Sequence, residues 1–156
     1  APPAGVLPGT LRLRTLSKAY ALAGLRVGYA LGEASLIAKA DQIRPQFALS
    51  SWAQAAAQTV LADPAYAPAL RQHTLQLREQ LSAALLARGR LPFPSSTNFV
   101  CLACADSQEA GGIQQALLAQ GVALHRPPHP AVNHLLGITA HPAALSNAVL
   151  AALACR

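Results

Sequence analysis

The apolar residues of this chain switch repeatedly between two spacings, every second residue and every third or fourth. That switching confines it to layered folds in which strands and helices take turns, an α/β or α+β architecture. TLRLRTL alternates Leu11 and Leu13 with Arg12 and Arg14, the period of a strand, and ends at Ser17-Lys18. The Gly-spaced ALAGLRVGYALG follows, with RVGYAL as a second short strand. Residues 33–44 are helical, with Leu36, Ile37, Ala40 and Ile43 on one face and Pro45 as the stop. Residues 51–62, almost all Ala and Gln, form a helix whose small side chains allow another element to approach closely. A longer helix over 65–88 carries Leu70, Leu77, Leu81 and Leu85 on one stripe and ends at Gly89. The remainder alternates again: a strand at 98–104, a helix at 108–120 ending at Gly121, a strand at 122–126, a Pro/His loop, the strand HLLGITA and a last helix at 143–154.

Of the 156 residues 53% are apolar and only 12% charged, against about 25% in an ordinary domain. The composition excludes disorder, collagen and coiled coil, and the length suits one domain of roughly 100–200 residues. With no Met in the sequence, either the initiator has been removed or the chain is an excerpt of a longer one. The net charge of +6 is carried by arginines scattered from Arg12 to Arg156 and not interleaved with stacking aromatics, of which the chain has only seven, so a nucleic-acid partner is not expected. The longest stretch without a charged residue, 127–155, is broken by Pro128, Pro130, Asn133, Pro142 and Asn147, and a membrane span is not expected either. APPAGVLPG lacks the features of a secretory signal, so the expected location is cytoplasmic.

Three cysteines, Cys101, Cys104 and Cys155, cannot pair fully within the chain. Cys101 and Cys104 form a C-x-x-C inside a strand-like NFVCLAC, where positions three apart point to opposite faces, so they read as structural thiols rather than metal or redox ligands. His125, His129, His134 and His141 crowd a proline-rich stretch without a helical i, i+4 frame or nearby acidic ligands and read as loop residues. No metal site is expected. Gly24, Gly28 and Gly32 recur every four residues, but Arg26 between them argues for close backbone packing over a membrane-dimer motif.

The chain has two lysines. Lys39 lies on an amphipathic helix and reads as solvated. Lys18 follows a strand directly, with Thr15 and Ser17 before it and Arg26 eight residues on. A lysine in an apolar pocket near positive charge becomes nucleophilic enough for Schiff-base chemistry, and two hydroxyls with a guanidinium suit a phosphate dianion. The alternative is a surface lysine at a strand end.

RTLSKAYALAGLRVGYALG resembles the cofactor-lysine segment of fold-type-I pyridoxal-phosphate enzymes, and within them closely that of histidinol-phosphate aminotransferases and their relatives. The resemblance continues through IRPQFALSSWAQAAAQTVLAD, a long helix, PSSTNFVCL, GVALHRP and the strand with ITA, covering nearly the whole chain. It implies the C-terminal part of the aspartate aminotransferase-like α/β fold: residues 1–32 as the end of the large cofactor domain, 33–62 as connecting helices and 63–156 as the small α/β domain. It implies pyridoxal 5'-phosphate as cofactor, a Schiff base on Lys18, and a Lys18 amine that then moves the proton of transamination. Ser17, Arg26 and Thr15 would bind the 5'-phosphate, and Asn98 and Arg126 the substrate, although a solvated Arg126 beside the Pro-rich loop is the alternative. The substrates implied are an amino acid or amino-phosphate and a 2-oxo acid, and the assembly a homodimer.

Two departures stand beside the resemblance. Where the family's last strand carries an arginine for the substrate α-carboxylate, in a pattern like L-R-I-T-V-G, this chain has Leu136 or Gly137. The family's partner of the pyridinium nitrogen, its stacking aromatic and the Asn and Tyr at the 3'-oxygen come from before the lysine and have no counterpart here. A decarboxylase on the same scaffold, of the threonine-phosphate decarboxylase kind, and a truncated non-catalytic module are therefore the other two readings.

Overall fold

The computed structural model describes residues 7–154, so Cys155 and the first six residues of the Pro-rich opening lie outside the described residues. The chain divides into two compact units, one running to Arg71 and the other starting at Gln72.

In the first unit, β1 (Arg12–Thr15) and β2 (Gly28–Leu31) pair antiparallel, with Arg12 opposite Leu31 and Thr15 opposite Gly28. Beyond the last pair, the Leu16 amide donates to the Val27 carbonyl at 3.1 Å and closes the neck of the loop between the strands. Helix α1 (Ala34–Gln42) stops two residues before Arg44, whose helical conformation Pro45 disfavours. None of its residues is buried, and Ile43, expected on its apolar face, is 86% exposed at the C-cap. Helix α2 (Ser51–Ala62) starts where the Ser50 hydroxyl accepts the Ala53 amide at 3.2 Å. Its buried residues Ala53 and Ala57, one turn apart, pack with Leu16 and Val27, joined by Tyr20, Leu22 and Leu49. The alanine-rich sequence thus lets a helix backbone approach the neck of the hairpin loop.

The unit boundary falls inside α3 (Tyr66–Leu86). Leu77, Leu81 and Leu85 are buried, and Gly89, at φ 77°, ends the helix with the Arg90 amide donating back to the Leu85 carbonyl at 3.1 Å. In the second unit, β3 (Phe99–Ala103) and β4 (Leu135–Thr139) pair antiparallel, with Cys101 opposite Gly137. Val100, Leu102, Leu136 and Ile138 face the core, where they meet Leu81, Leu85 and residues of α4 (Ser107–Leu118) and α5 (Asn147–Leu153). The Asp106 carboxylate accepts the Gln108 and Glu109 amides at the start of α4, and Gly121, at φ 78°, follows its end.

Two expectations need correction. Residues 122–126 form no regular strand: His125 alone bridges Gly137, through reciprocal bonds of 3.1 and 2.8 Å. Pro127 and Pro128 follow at once and have no amide hydrogen with which to extend the ladder. The last helix is not continuous over 143–154. Pro142–Leu145 is a 3₁₀ turn, and Ser146 stands in extended conformation, its hydroxyl accepting the Val149 amide at the start of α5. A serine that competes for backbone amides caps a new helix more readily than it continues an old one.

Candidate functional site

The hairpin register decides which side chains share the loop of the first unit. Thr15 is the last paired residue of β1, and the Leu16 to Val27 bond leaves Ser17 and Arg26 as the next residues out on either side of the neck. Leu16 and Val27 are 2% and 5% exposed, so the loop hangs from two buried anchors. The Thr15 hydroxyl donates to Ser17 Oγ at 2.8 Å and accepts the Ser17 amide at 3.1 Å, which orients both hydroxyls and starts a tight turn over 17–20.

Lys18 lies in that turn with its side chain exposed, and among the described residues no hydrogen bond or ion pair holds its ammonium group. Its carbonyl accepts the Ala21 amide at 3.3 Å, and Ala21 takes the left-handed conformation at φ 56°. Arg26 is also left-handed, at φ 55°, and donates from Nη1 to the Ala23 carbonyl at 2.8 Å, which leaves its other N–H groups available. Gly28 is required opposite Thr15, because a Cβ there would stand 2.6 Å from the Arg14 carbonyl oxygen. A Cβ at Gly32 would meet Leu11 at 2.9 Å, whereas Gly24 faces open space, so close packing explains two of the three spaced glycines.

A primary amine, two mutually oriented hydroxyls and a guanidinium on one loop are the groups that condense with an aldehyde and grip a phosphate. The donor set therefore fits an aldehyde that carries a phosphate ester.

Arg126 and Asn98 belong to the second unit, and no hydrogen bond joins them. Arg126 is half-buried and fastened to two backbone carbonyls, Nε to Asn133 at 2.5 Å and Nη2 to Ser107 at 2.8 Å. Its Nη1 lies 3.1 Å from where a Cβ on Gly111 would be, so the glycine makes room for the guanidinium against α4. Arg126 ties the Pro/His loop to α4 and retains Nη1 for any further partner. Asn98 is half-buried at the start of β3, and its carbonyl accepts the Ala140 amide at 2.9 Å. Ser95 and Thr97 organise the segment before it, both hydroxyls bonding the Phe99 carbonyl.

On β4, Leu136 is fully buried in the core, whereas Gly137 stands between Cys101 and His125. Gly137 is thus the residue on the sheet face away from the core, and β4 carries no basic side chain. Burial raises the pKa of both Cys101 and Cys104, and for Cys104 the Glu109 carboxylate adds to the effect. No group of three or more His, Cys, Asp or Glu among the described residues could hold a metal ion. No helix among them is long and apolar enough to cross a membrane.

Sequence reasoning missed Arg90, which is 8% exposed and donates to Leu153, Ala154 and Glu109. Its only sequence signal was a position directly after the helix-ending Gly89. It also missed Tyr66, whose ring stacks on that of Tyr20 with centroids 6.2 Å apart.

The model of the family described as aminotransferase class I and II matches residues 4–156. Histidinol-phosphate aminotransferase 2 of Ralstonia nicotianae is 41% identical over 116 residues, 74% of this chain and 31% of that protein. Histidinol-phosphate aminotransferase 1 of Pseudomonas aeruginosa is 37% identical over 149 residues, 94% of this chain and 42% of that protein. Among solved structures, the histidinol-phosphate aminotransferase of Sinorhizobium meliloti, determined in complex with pyridoxal-5'-phosphate, aligns with a TM-score of 0.80 at 32% identity, covering 94% of this chain and 39% of its own. The chain spans between about a third and two fifths of the length of these relatives.

Proposed function

Since the chain belongs to the class I and II aminotransferase family, we propose that it supplies the lysine-bearing and C-terminal part of a pyridoxal-phosphate-dependent aminotransferase of the histidinol-phosphate kind. In this reading an amino group passes between an amino acid or amino-phosphate and a 2-oxo acid, in a cytoplasmic homodimer. Residues 1–32 end the large domain, 33–62 connect, and 63–156 form the small domain. The observation that carries the reading is the exposed Lys18 amine on a loop where Thr15 and Ser17 are bonded to each other and Arg26 stands across the neck.

Pyridoxal phosphate, when bound, supplies an aldehyde for amine capture and a ring that accepts electrons. Lys18 would hold the cofactor through Nζ, and its amine would move the proton at the substrate Cα. Ser17, Thr15 and Arg26 would grip the phosphate and so anchor the cofactor independently of Lys18. Arg126 offers Nη1 to the substrate, and Asn98 its side-chain amide.

The absence of a basic residue on β4, with Gly137 on the open sheet face, favours a second reading, a decarboxylase on the same scaffold. Loss of a bidentate carboxylate partner costs about 2–5 kcal/mol in an otherwise unchanged site. Titration of the full chain with pyridoxal phosphate tests the common premise: a visible absorbance band is expected that Lys18→Ala abolishes. A band absent from the wild type, or unchanged in Lys18→Ala, supports the non-catalytic module instead. Where the band is present, release of a 2-oxo acid from the amino donor supports transfer, and release of carbon dioxide supports decarboxylation.

A further inference from the structure

Tyr20 closes the 17–20 turn two residues after Lys18, and its half-buried ring packs against the cluster of Leu16, Val27, Ala53 and Ala57. The same ring is stacked on Tyr66, the first residue of α3, with 7° between the planes and centroids 6.2 Å apart. That separation is within the range in which aromatic pairs attract beyond their burial. Tyr66 is itself held at the helix start, where the Ala65 amide donates to Asp63 Oδ1 at 2.8 Å and the Tyr66 amide to the Asp63 carbonyl at 3.4 Å.

The turn needs such an anchor. Its own bonds are long, Ala21 amide to Lys18 carbonyl at 3.3 Å and Leu22 amide to Leu16 carbonyl at 3.2 Å, and it must hold Ala21, a residue with a Cβ, in the left-handed region. Released, Ala21 relaxes toward an ordinary conformation and the Lys18 backbone moves with it. We infer that Tyr66 is a positioning residue for Lys18, acting through the ring of Tyr20 to hold the turn that presents the amine. The inference rests on the proposed assignment of Lys18 as the reactive amine, and it places a functional role at the start of α3, outside the lysine segment.

Amide hydrogen exchange of the full chain tests this without the cofactor, and pyridoxal phosphate titration tests it with the cofactor. In Tyr66→Ala, the Ala21 and Leu22 amides are expected to exchange roughly two- to tenfold faster, the span that loss of one aromatic pair allows. The half-saturating pyridoxal phosphate concentration should rise by a similar factor. Tyr66→Phe keeps the ring and should restore both. Tyr66→Leu keeps apolar bulk without a ring and should behave as the alanine variant, so the outcome does not depend on the truncation being tolerated. Unchanged exchange at Ala21 and Leu22, equal acceleration at Val100 and Leu102 in the second unit, or failure of Tyr66→Phe to restore would each overturn the inference. A wild type that shows no visible band sinks the proposed function, while the exchange measurements still decide the role of Tyr66 in holding the turn.

Discussion

Arg90 Nη2 lies 2.6 Å from Glu109 Oε1, and the same guanidinium donates to the Leu153 and Ala154 carbonyls at the end of α5. Glu109 in turn accepts the Ala105 amide through Oε2 at 2.6 Å. One buried arginine therefore joins the start of α4 to the end of α5 and satisfies carbonyls that a helix terminus leaves without partners.

Removing either partner should destabilise the second unit unequally. Arg90→Met strands the Glu109 carboxylate and two carbonyls, and should cost about 2–4 kcal/mol, less than a fully buried pair because Glu109 is about a third exposed. Glu109→Gln retains an acceptor and should cost about 1–2 kcal/mol. Urea midpoints of the two variants against wild type measure both, and an Arg90→Met midpoint equal to wild type would show that the bridge contributes nothing.

The same pair sets an acid dependence. The Ala105 amide first, and then Arg90, hold the Glu109 pKa below its ordinary value of 4.5. A folded-state pKa depressed below the unfolded one contributes stability that is complete above the unfolded value and is lost as pH falls through the folded value. The gap in unfolding midpoint between wild type and Glu109→Gln should therefore be constant above about pH 5.5 and close progressively below about pH 4.5. A gap independent of pH from 3 to 7 would be evidence against a depressed Glu109.

Backbone conformation in the lysine loop predicts two opposite glycine effects. Ala21→Gly relieves a Cβ at φ 56° and should stabilise by about 0.5–1 kcal/mol. Gly28→Ala drives a Cβ to 2.6 Å from the Arg14 carbonyl and should cost about 2–3 kcal/mol, whereas Gly24→Ala, facing open space, should be within about 0.5 kcal/mol of wild type. Thermal unfolding of the three variants gives the order, and a Gly28→Ala as stable as Gly24→Ala would contradict the strand spacing.

Thiol labelling should be slow at neutral pH. Burial raises both thiols above the ordinary value of 9.0, so the thiolate fraction at pH 7 is small. In a Cys155→Ser background, iodoacetamide should modify half-buried Cys101 before buried Cys104, with a rate that rises about tenfold per pH unit up to pH 9. A fast, pH-independent reaction at Cys101 would indicate a redox-active thiol instead of a structural one.

Much of this chain is legible from local pattern. The two-residue period of TLRLRTL, the Ala-rich stretch bounded by Ser50 and Asp63, and Gly89 and Gly121 just past their helices each report a backbone preference set by near neighbours. The lysine loop is legible for the same reason, because the Thr15–Ser17 bonds and the Ala21 amide to Lys18 carbonyl bond each span two or three residues. The run 122–126 misleads because its strand-like residues are followed by prolines, and pairing depends on a partner strand that local pattern does not specify.

The sequence by itself determined the alternation of strands and helices outside 122–126 and the last helix, the Lys18 motif and the glycines that end helices, since each rests on conformational preferences expressed within a few residues. Only the tertiary structure decided that Gly137 and not Leu136 faces away from the core, that Arg90 bonds Leu153 across 63 residues, and that Tyr66 stacks on Tyr20. Those relationships depend on which surfaces are removed from water together, and burial is a property of the assembled fold that residues distant in the chain acquire only once they meet.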